Sequence, residues 1–393
     1  MIKITDCSKA VVIIIFMSII FSPVTFAICS KEFNANIQHI LDQDRLNYQI
    51  PGLQVSILCP GEKSPHDFVS GFTTLDHHEK IKNDTWFQIG SETKSFIAAI
   101  ILKLEANNLV SINDEIGMYL TDIPSRWKHI TIKQLLNHTS GIYHYTDNLL
   151  EMMHENEKYD LKKQWTAKEL ITIAANEPDY FLPGQGWHYS NTNLVLTGLI
   201  IESVTGKSIS DVMTELLLIP IGLLNTHYLP VSYSPDVMQH MAHGYSNFGI
   251  FSNEPKDITD SNFSWSNSAN SNVSTSHDIA IWFNQLTNGS ILPKKQMNEL
   301  MELVNQQNGQ PIPISLDAGG YALALMHDYH TFNEESWWHS GGTLGFCSFM
   351  INLKNSNFIL TANANMVNSD EIMKRHLYLI VKDLVGYIQR SQH

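Results

Sequence analysis

The chain is poor in the residues that several protein classes cannot do without. It has four cysteines in 393 residues and no CxxC pair. That excludes a disulfide-dense scaffold and leaves no zinc-ribbon or thioredoxin-like pattern. Charged residues make up 16% of the chain, and 25 Lys plus Arg face 39 Asp plus Glu. With a formal charge of −14 and no long basic run, the chain lacks the electrostatic footprint of a nucleic-acid binder. There is no HExxH for a zinc hydrolase and no GxSxG elbow around any serine. Gly206-Lys207-Ser208 looks like the tail of a phosphate-binding loop, but Ile201 stands where its first glycine is needed. His77-His78 is an isolated pair, and no repeat or low-complexity tract occurs. No metal or organic cofactor is implied.

What is present points to a folded enzyme-sized chain. Apolar residues are 43% and aromatics 10%, enough for a sizeable core. The length suits one large domain or two modest ones. The first residues follow an export pattern. Lys3 and Lys9 precede an apolar block of 12 residues at 10–21, then Pro23 and the small-x-small triplet Thr25-Phe26-Ala27. The block is short for a membrane span of about 20 residues. Residues 1–27 are therefore expected to be a signal peptide cleaved after Ala27, with an uncleaved N-terminal anchor as the alternative. The product is expected in the periplasm or outside the cell, touching membrane only through that segment. Export permits disulfides. Cys29 precedes the first helix and Cys59 ends the first strand, so these two are expected to pair. Cys347 sits in an apolar strand and reads as a buried thiol.

The two ends of the chain carry the strand patterns and the middle carries helices. Strands are expected at 53–59, 67–72, 321–326, 336–339, 346–352 and 358–364. Helices are expected at 33–48, 91–107 and 369–388, with shorter ones at 131–136, 167–175 and 193–205. Residues 246–276 are rich in Asn and Ser and read as a long ordered loop or partial lid. The expected fold is α+β: one antiparallel sheet built from both ends (about 31–109 and 310–393) and flanked by helices. A helical lobe (about 110–309) is inserted between the strands, all within one domain at 28–393. A cleft between the lobes is a natural substrate site.

Three motifs carry chemistry. Gly90-Ser91-Glu92-Thr93-Lys94 opens a helix and puts Ser91 and Lys94 on one face. A lysine whose pKa is lowered by burial can take a serine proton, and the helix start favours a developing anion. Taken alone, Ser91 is better explained as a helix cap. Tyr189-Ser190-Asn191 follows Pro183-Gly184-Gln185-Gly186 and precedes a helix. The tyrosine suits proton transfer, and the asparagine suits a donor to a substrate amide carbonyl. Trp337-Trp338-His339-Ser340-Gly341-Gly342 joins a strand to a glycine-rich turn. Its glycines let a substrate backbone lie along the strand edge, and a free N–H there could complete an oxyanion hole with that of Ser91.

In order, spacing and context, this set resembles the penicillin-recognising serine hydrolases. The likeness is to the branch of class C β-lactamases, a soluble D-alanyl-D-alanine carboxypeptidase and related esterases. Ile50-Pro51-Gly52-Leu53, Leu135-Leu136-Asn137-His138-Thr139-Ser140-Gly141, Val204-Thr205-Gly206-Lys207, Pro220-Ile221-Gly222-Leu223 and Ser274-Thr275-Ser276-His277-Asp278 are similar to family segments as well. The resemblance implies a β-lactamase/transpeptidase-like α/β/α sandwich and an acyl-enzyme on Ser91. It implies that Lys94 and Tyr189 handle the proton, and the choice of base between them stays open. It makes Asn191 the residue that orients a substrate amide. It gives the oxyanion to the N–H groups of Ser91 and Gly342, and places His339, Ser340 and Gly341 along the substrate.

Two departures stand out. Class C β-lactamases usually have Lys-Thr-Gly where this chain has His339-Ser340-Gly341, and a histidine is a weaker fixed anchor for a substrate carboxylate. Asn270 stands where many relatives have glycine. The expected activity is a D-alanyl-D-alanine carboxypeptidase acting as a monomer on peptidoglycan stem peptides. An esterase or weak β-lactamase, and a non-catalytic cell-wall-binding scaffold, are the alternatives.

Overall fold

A computed structural model describes residues 29–155, 160–246, 254–315, 319–369 and 375–392. The expected signal segment at 1–27 lies outside the described residues. The main sheet has nine strands: β1 (Gly52–Leu58), β2 (His66–Gly71), β3 (Leu303–Val304), β4 (Pro311–Ile312), β5 (Gly320–Tyr321), β6 (Met326–Asp328), β7 (Ser336–Gly342), β8 (Cys347–Leu353) and β9 (Phe358–Ala364). Their order is β2-β1-β9-β8-β7-β6-β5-β3-β4, and the pairings are antiparallel. The two ends of the chain meet where β1 pairs with β9, with Val55 opposite Ala362.

Strand alternation decides which helices cover which face. Leu53, Val55 and Ile57 of β1 join Phe349, Ile351 and Leu353 of β8 in one core. Two helices close that core, α1 (Lys31–Asn47) and α5 (His376–Arg390). Ser30 caps α1 by accepting from Phe33 N–H at 3.1 Å, and Phe33, Ile37 and Leu41 face inward at helical spacing. The intervening residues of β1 meet α4 (Ser276–Thr287) on the other face. There Gln54 Oε1 accepts from Ser276 N–H, and Ser56 Oγ bonds Ser276 Oγ, both at 2.7 Å.

The helical lobe packs on that second face around α2 (Thr93–Ala106) and α3 (Asn191–Thr205). The expected apolar stripe of α2 is only part of its buried surface. From Thr93 to Leu102 every residue is buried, because the helix runs between the sheet and the lobe.

Three expectations need correction. Leu303–Val304 and Pro311–Ile312 belong to the sheet, so the sheet lobe begins before residue 310. The last helix starts at His376 and runs to Arg390. Of the expected loop or lid at 246–276, residues 247–253 lie outside the described residues, and 254–276 are packed rather than a lid. Phe263, Trp265 and Ala269 are in the core, Asn267–Asn270 is a short helix, and Asn272–Ser274 is a strand between Phe87–Gln88 and His227–Tyr228. Among the described residues, no helix is long and apolar enough to cross a membrane.

Cys29 and Cys59 are joined by a disulfide with Cα atoms 6.4 Å apart, and Cys347 is a buried free thiol. The bridge ties the lead-in of α1 to the end of β1 and closes a loop of 30 residues in sequence separation. Replacing Cys29 and Cys59 by serine is expected to lower stability by about 3–4 kcal/mol, read from urea midpoints. Full alkylation of both thiols in unreduced protein would contradict the bridge.

Candidate active site

Two glycine contacts build the site. Gly90 has φ +51°, and a Cβ there would lie 2.5 Å from Gly342 N. A Cβ on Gly341 would lie 1.9 Å from Ile89 O. Glycine is needed at both positions for the turn before α2 to press against the end of β7. Ser348, opposite Gly341 on β8, secures the contact by donating to Ile89 O at 2.7 Å. The tight turn Gly90–Glu92 then presents Ser91 beside Gly342, both half-buried. Ser91 does not cap α2; its hydroxyl is turned to other side chains.

Three groups converge on Ser91 Oγ. Lys94 Nζ is 2.8 Å away, Tyr189 Oη donates to it at 2.7 Å, and it donates to Asn270 Oδ1 at 2.6 Å. Lys94 also donates to Ala269 O at 2.9 Å and Asn270 Oδ1 at 3.1 Å. The lysine is fully buried, and burial alone holds its pKa well below the usual lysine value. As a neutral amine it has two hydrogens, which suit Ala269 and Asn270, and a lone pair 2.8 Å from Ser91 Oγ that can take the serine proton once that hydrogen turns away from Asn270. Burial pushes the Tyr189 phenol the opposite way, so it keeps its proton. The pair therefore favours an uncharged amine beside an uncharged phenol, with Lys94 the acceptor and Tyr189 the donor.

Asn191 is buried at the start of α3, and one hydrogen of its amide is in use. Nδ2 donates to Thr146 Oγ1 at 2.9 Å, while Oδ1 is buried without a partner among the described residues. The second Nδ2 hydrogen and the unpartnered Oδ1 are the atoms of this side chain with bonding capacity left.

His339 also differs from its expected part. It is buried, and Nδ1 donates to Ser340 O at 2.8 Å, so Nε2 is left to accept from Tyr321 Oη at 3.2 Å. Tyr321 in turn accepts from His138 Nε2 at 3.2 Å, whose Nδ1 accepts from Ser190 N–H and Asn193 Nδ2. Both imidazoles are thereby fixed as neutral tautomers. Burial pushes His339 down to about 3 and His138 well below its usual value. His339 is thus an uncharged spacer rather than a partly charged anchor. Ser340 Oγ is buried without a partner among the described residues, and Gly341 O accepts from Arg375 Nη1 at 3.1 Å.

The structure adds residues that the motifs did not single out. Arg375, at the start of α5, lays its guanidinium against Gly342, where a Cβ would meet Nη2 at 2.5 Å. Tyr321 arrives from β5 and Asn270 from the short helix Asn267–Asn270. His138, inside the Leu135–Gly141 motif, adopts φ +63° and supports Tyr189 from behind, with ring centroids 4.5 Å apart.

A lobed α/β/α fold, a buried lysine and a tyrosine focused on a turn-borne serine define a serine hydrolase of the β-lactamase and penicillin-binding class. A sequence model of the Beta-lactamase family matches residues 33–383, and the chain belongs to that family. Among curated proteins it is similar to Penicillin-binding protein 4* of Bacillus subtilis (strain 168), 30% identical over 46% of this chain and 38% of that one. It is also similar to Protein flp of Staphylococcus aureus (strain COL), 25% identical over 88% of this chain and 65% of that one. The chain thus spans less than two thirds of the length of either relative. Among solved structures it is similar to the D-amino acid amidase of Ochrobactrum anthropi SV3 complexed with L-phenylalanine, with a TM-score of 0.78 and 26% identity. That match covers 92% of this chain and 100% of the amidase chain.

Buried neutral histidines make stability depend on acid. His144 and His339 are held near pKa 3 in the fold, against 6.5 unperturbed, and His138 is shifted the same way. Below 6.5 the unfolded chain binds protons that the folded chain refuses, so stability falls as the pH drops from 6.5 toward 3. Urea midpoints at pH 7, 5 and 4 are expected to decline in that order. His339→Gln is expected to flatten the decline, and midpoints unchanged between pH 7 and 4 would contradict the assignment.

Proposed function

We propose that this hydrolase acts after export as a D-alanyl-D-alanine carboxypeptidase, through an acyl-enzyme on Ser91. The observation that carries the reading is the convergence of Lys94 and Tyr189 on Ser91 Oγ, beside the Gly342 N–H and the Arg375 guanidinium. Lys94 takes the Ser91 proton as Oγ attacks the scissile carbonyl. The N–H groups of Ser91 and Gly342 receive the oxyanion. Tyr189 then protonates the leaving amine and regains a proton from Lys94, and water releases the acid. Arg375 supplies the positive charge that a carboxy-terminal substrate needs and that His339 does not provide. The unpaired oxygen of Asn191 suits the substrate N–H on the acyl side. The Cys29–Cys59 bridge fits an oxidising compartment and supports export.

A second reading is hydrolysis of D-amino acid amides. Two observations favour it: the neutral His339–Tyr321 pair in place of a lysine, and the likeness to the D-amino acid amidase. The two readings differ in whether the leaving group carries a carboxylate. Arg375→Ala is expected to raise KM about tenfold for an N-acyl-D-Ala-D-Ala peptide and to leave D-phenylalanine amide nearly unchanged. Turnover of the amide alone, unaffected by Arg375, would favour the second reading.

Ser91→Ala is expected to abolish acylation and to reduce kcat by about 10³-fold or more with the fold intact. Intact-mass spectra with benzylpenicillin check this directly. A mass adduct that persists in the Ser91→Ala variant would overturn the reading.

A further inference from the structure

Tyr321 lies between two histidines that belong to different motifs. It is fully buried, and its hydroxyl is 3.2 Å from His138 Nε2 and 3.2 Å from His339 Nε2. The direction of each bond is fixed from the ends. Ser190 N–H can only donate, so His138 Nδ1 accepts and Nε2 carries the ring hydrogen. Ser340 O can only accept, so His339 Nδ1 carries the ring hydrogen and Nε2 accepts. Tyr321 therefore accepts from His138 and donates to His339. The chain runs one way, from a backbone N–H in the Tyr-Ser-Asn motif to a backbone carbonyl in the His-Ser-Gly-Gly motif. It joins the start of α3 in the helical lobe to β7 in the sheet.

A proton on His339 breaks this order. Nε2–H would then point at the phenol oxygen, and the phenol hydrogen would have to turn away. His138 Nε2 is already a donor and cannot receive it, so a buried O–H would be left without an acceptor. The titratable and charged groups around the His339 ring are Lys94 from α2, Tyr189 ahead of α3, Tyr321 from β5 and His138. Arg375 from α5 lies against Gly342, three residues further along β7. Among the described residues, no carboxylate is set against the ring to favour its charge. Burial opposes the charge as well.

We propose that Tyr321 is a positioning residue that holds His339 as an uncharged ring and so makes the choice of leaving group independent of pH. The inference rests on the acyl-enzyme reading above. A positive charge at position 339 would favour a leaving group that ends in a carboxylate over one that ends in a carboxamide. With the ring neutral, that preference is left to Arg375, and a guanidinium does not titrate near neutral pH.

The test uses substrate pairs that differ only at the end of the leaving group. One pair is N-acetyl-D-Ala-D-Ala and its C-terminal amide, and the other is D-Phe-D-Ala and its C-terminal amide. In the wild-type protein the ratio of kcat/KM within a pair, carboxylate over carboxamide, is expected to stay constant within about twofold from about pH 7.5 to about pH 5. Tyr321→Phe keeps the ring and removes the hydroxyl. Its ratio is expected to rise about threefold or more over the same span, as His339 takes up a proton. Loss of packing alone would slow both members of a pair alike and leave the ratio flat. Histidine nitrogen NMR reads the same event without turnover. Wild-type His339 is expected to show a protonated Nδ1 and a bare Nε2 down to about pH 5. In Tyr321→Phe it is expected to titrate about one pH unit or more higher. An Nε2–H tautomer in the wild-type protein would overturn the proposal, and it decides the matter even where Tyr321→Phe does not fold. A flat ratio in folded Tyr321→Phe would also overturn it: burial alone would then hold the ring neutral, or its charge would not reach the leaving group. If the wild-type protein turns over none of these substrates, the acyl-enzyme reading fails and this proposal falls with it. If turnover is normal and the Tyr321→Phe ratio is flat, this proposal alone fails.

Discussion

The chemistry depends on keeping one amine out of water. Lys94 is fully buried, and the only cause that lowers its pKa is the loss of solvent around it. In water its amine would be charged and useless as a base. The fold keeps it dry by making α2 the centre of the molecule rather than a surface helix. Phe96 stacks on Trp282 at 3.9 Å, and Trp282 Nε1 donates to Ser95 Oγ at 2.9 Å. The sheet side and the lobe side both press on the turn that carries Ser91, so the nucleophile reaches solvent while its base does not.

That arrangement needs two distant parts of the chain to touch. Residues 89–91 meet residues 341–342 only because Gly90 and Gly341 lack side chains. A substitution at either glycine would force the backbones apart by more than a rotamer change can absorb. It would also separate the Ser91 and Gly342 N–H groups that must act together on one oxyanion.

Much of this was legible in the sequence, for a physical reason. The nucleophile motif, the Tyr-Ser-Asn motif and the His-Ser-Gly-Gly motif each sit at the end of a regular element, so local pattern fixed where each side chain starts. Tyr321 and Arg375 were not legible as site residues, and Asn270 stood out only as a departure from glycine in the family resemblance. They reach the cluster through tertiary packing from β5, α5 and a four-residue helix, and no local pattern gives them a role there. The Asn- and Ser-rich segment, read as a long ordered loop or partial lid, is packed into the core after residue 253. Its Asn and Ser side chains bond buried chain: Ser264 Oγ accepts from Trp165 N–H at 2.7 Å, and Asn262 Oδ1 accepts from Ser264 N–H at 2.9 Å.

The histidine in the third motif follows the same logic of charge. A lysine at position 339 would put a second ammonium near Lys94, and mutual repulsion would then help to keep Lys94 neutral. A neutral His339, locked by Tyr321 and Ser340, gives no such help. The cation proposed to serve the substrate is Arg375, which approaches from α5 and whose hydrogen bonds include those to Gly341 O and Ser369 O. Lys94 must then be held neutral by dryness alone. Lys94 is already fully buried with no substrate in the cleft, so the packing of α2, and not the filling of the site, sets the state of the base.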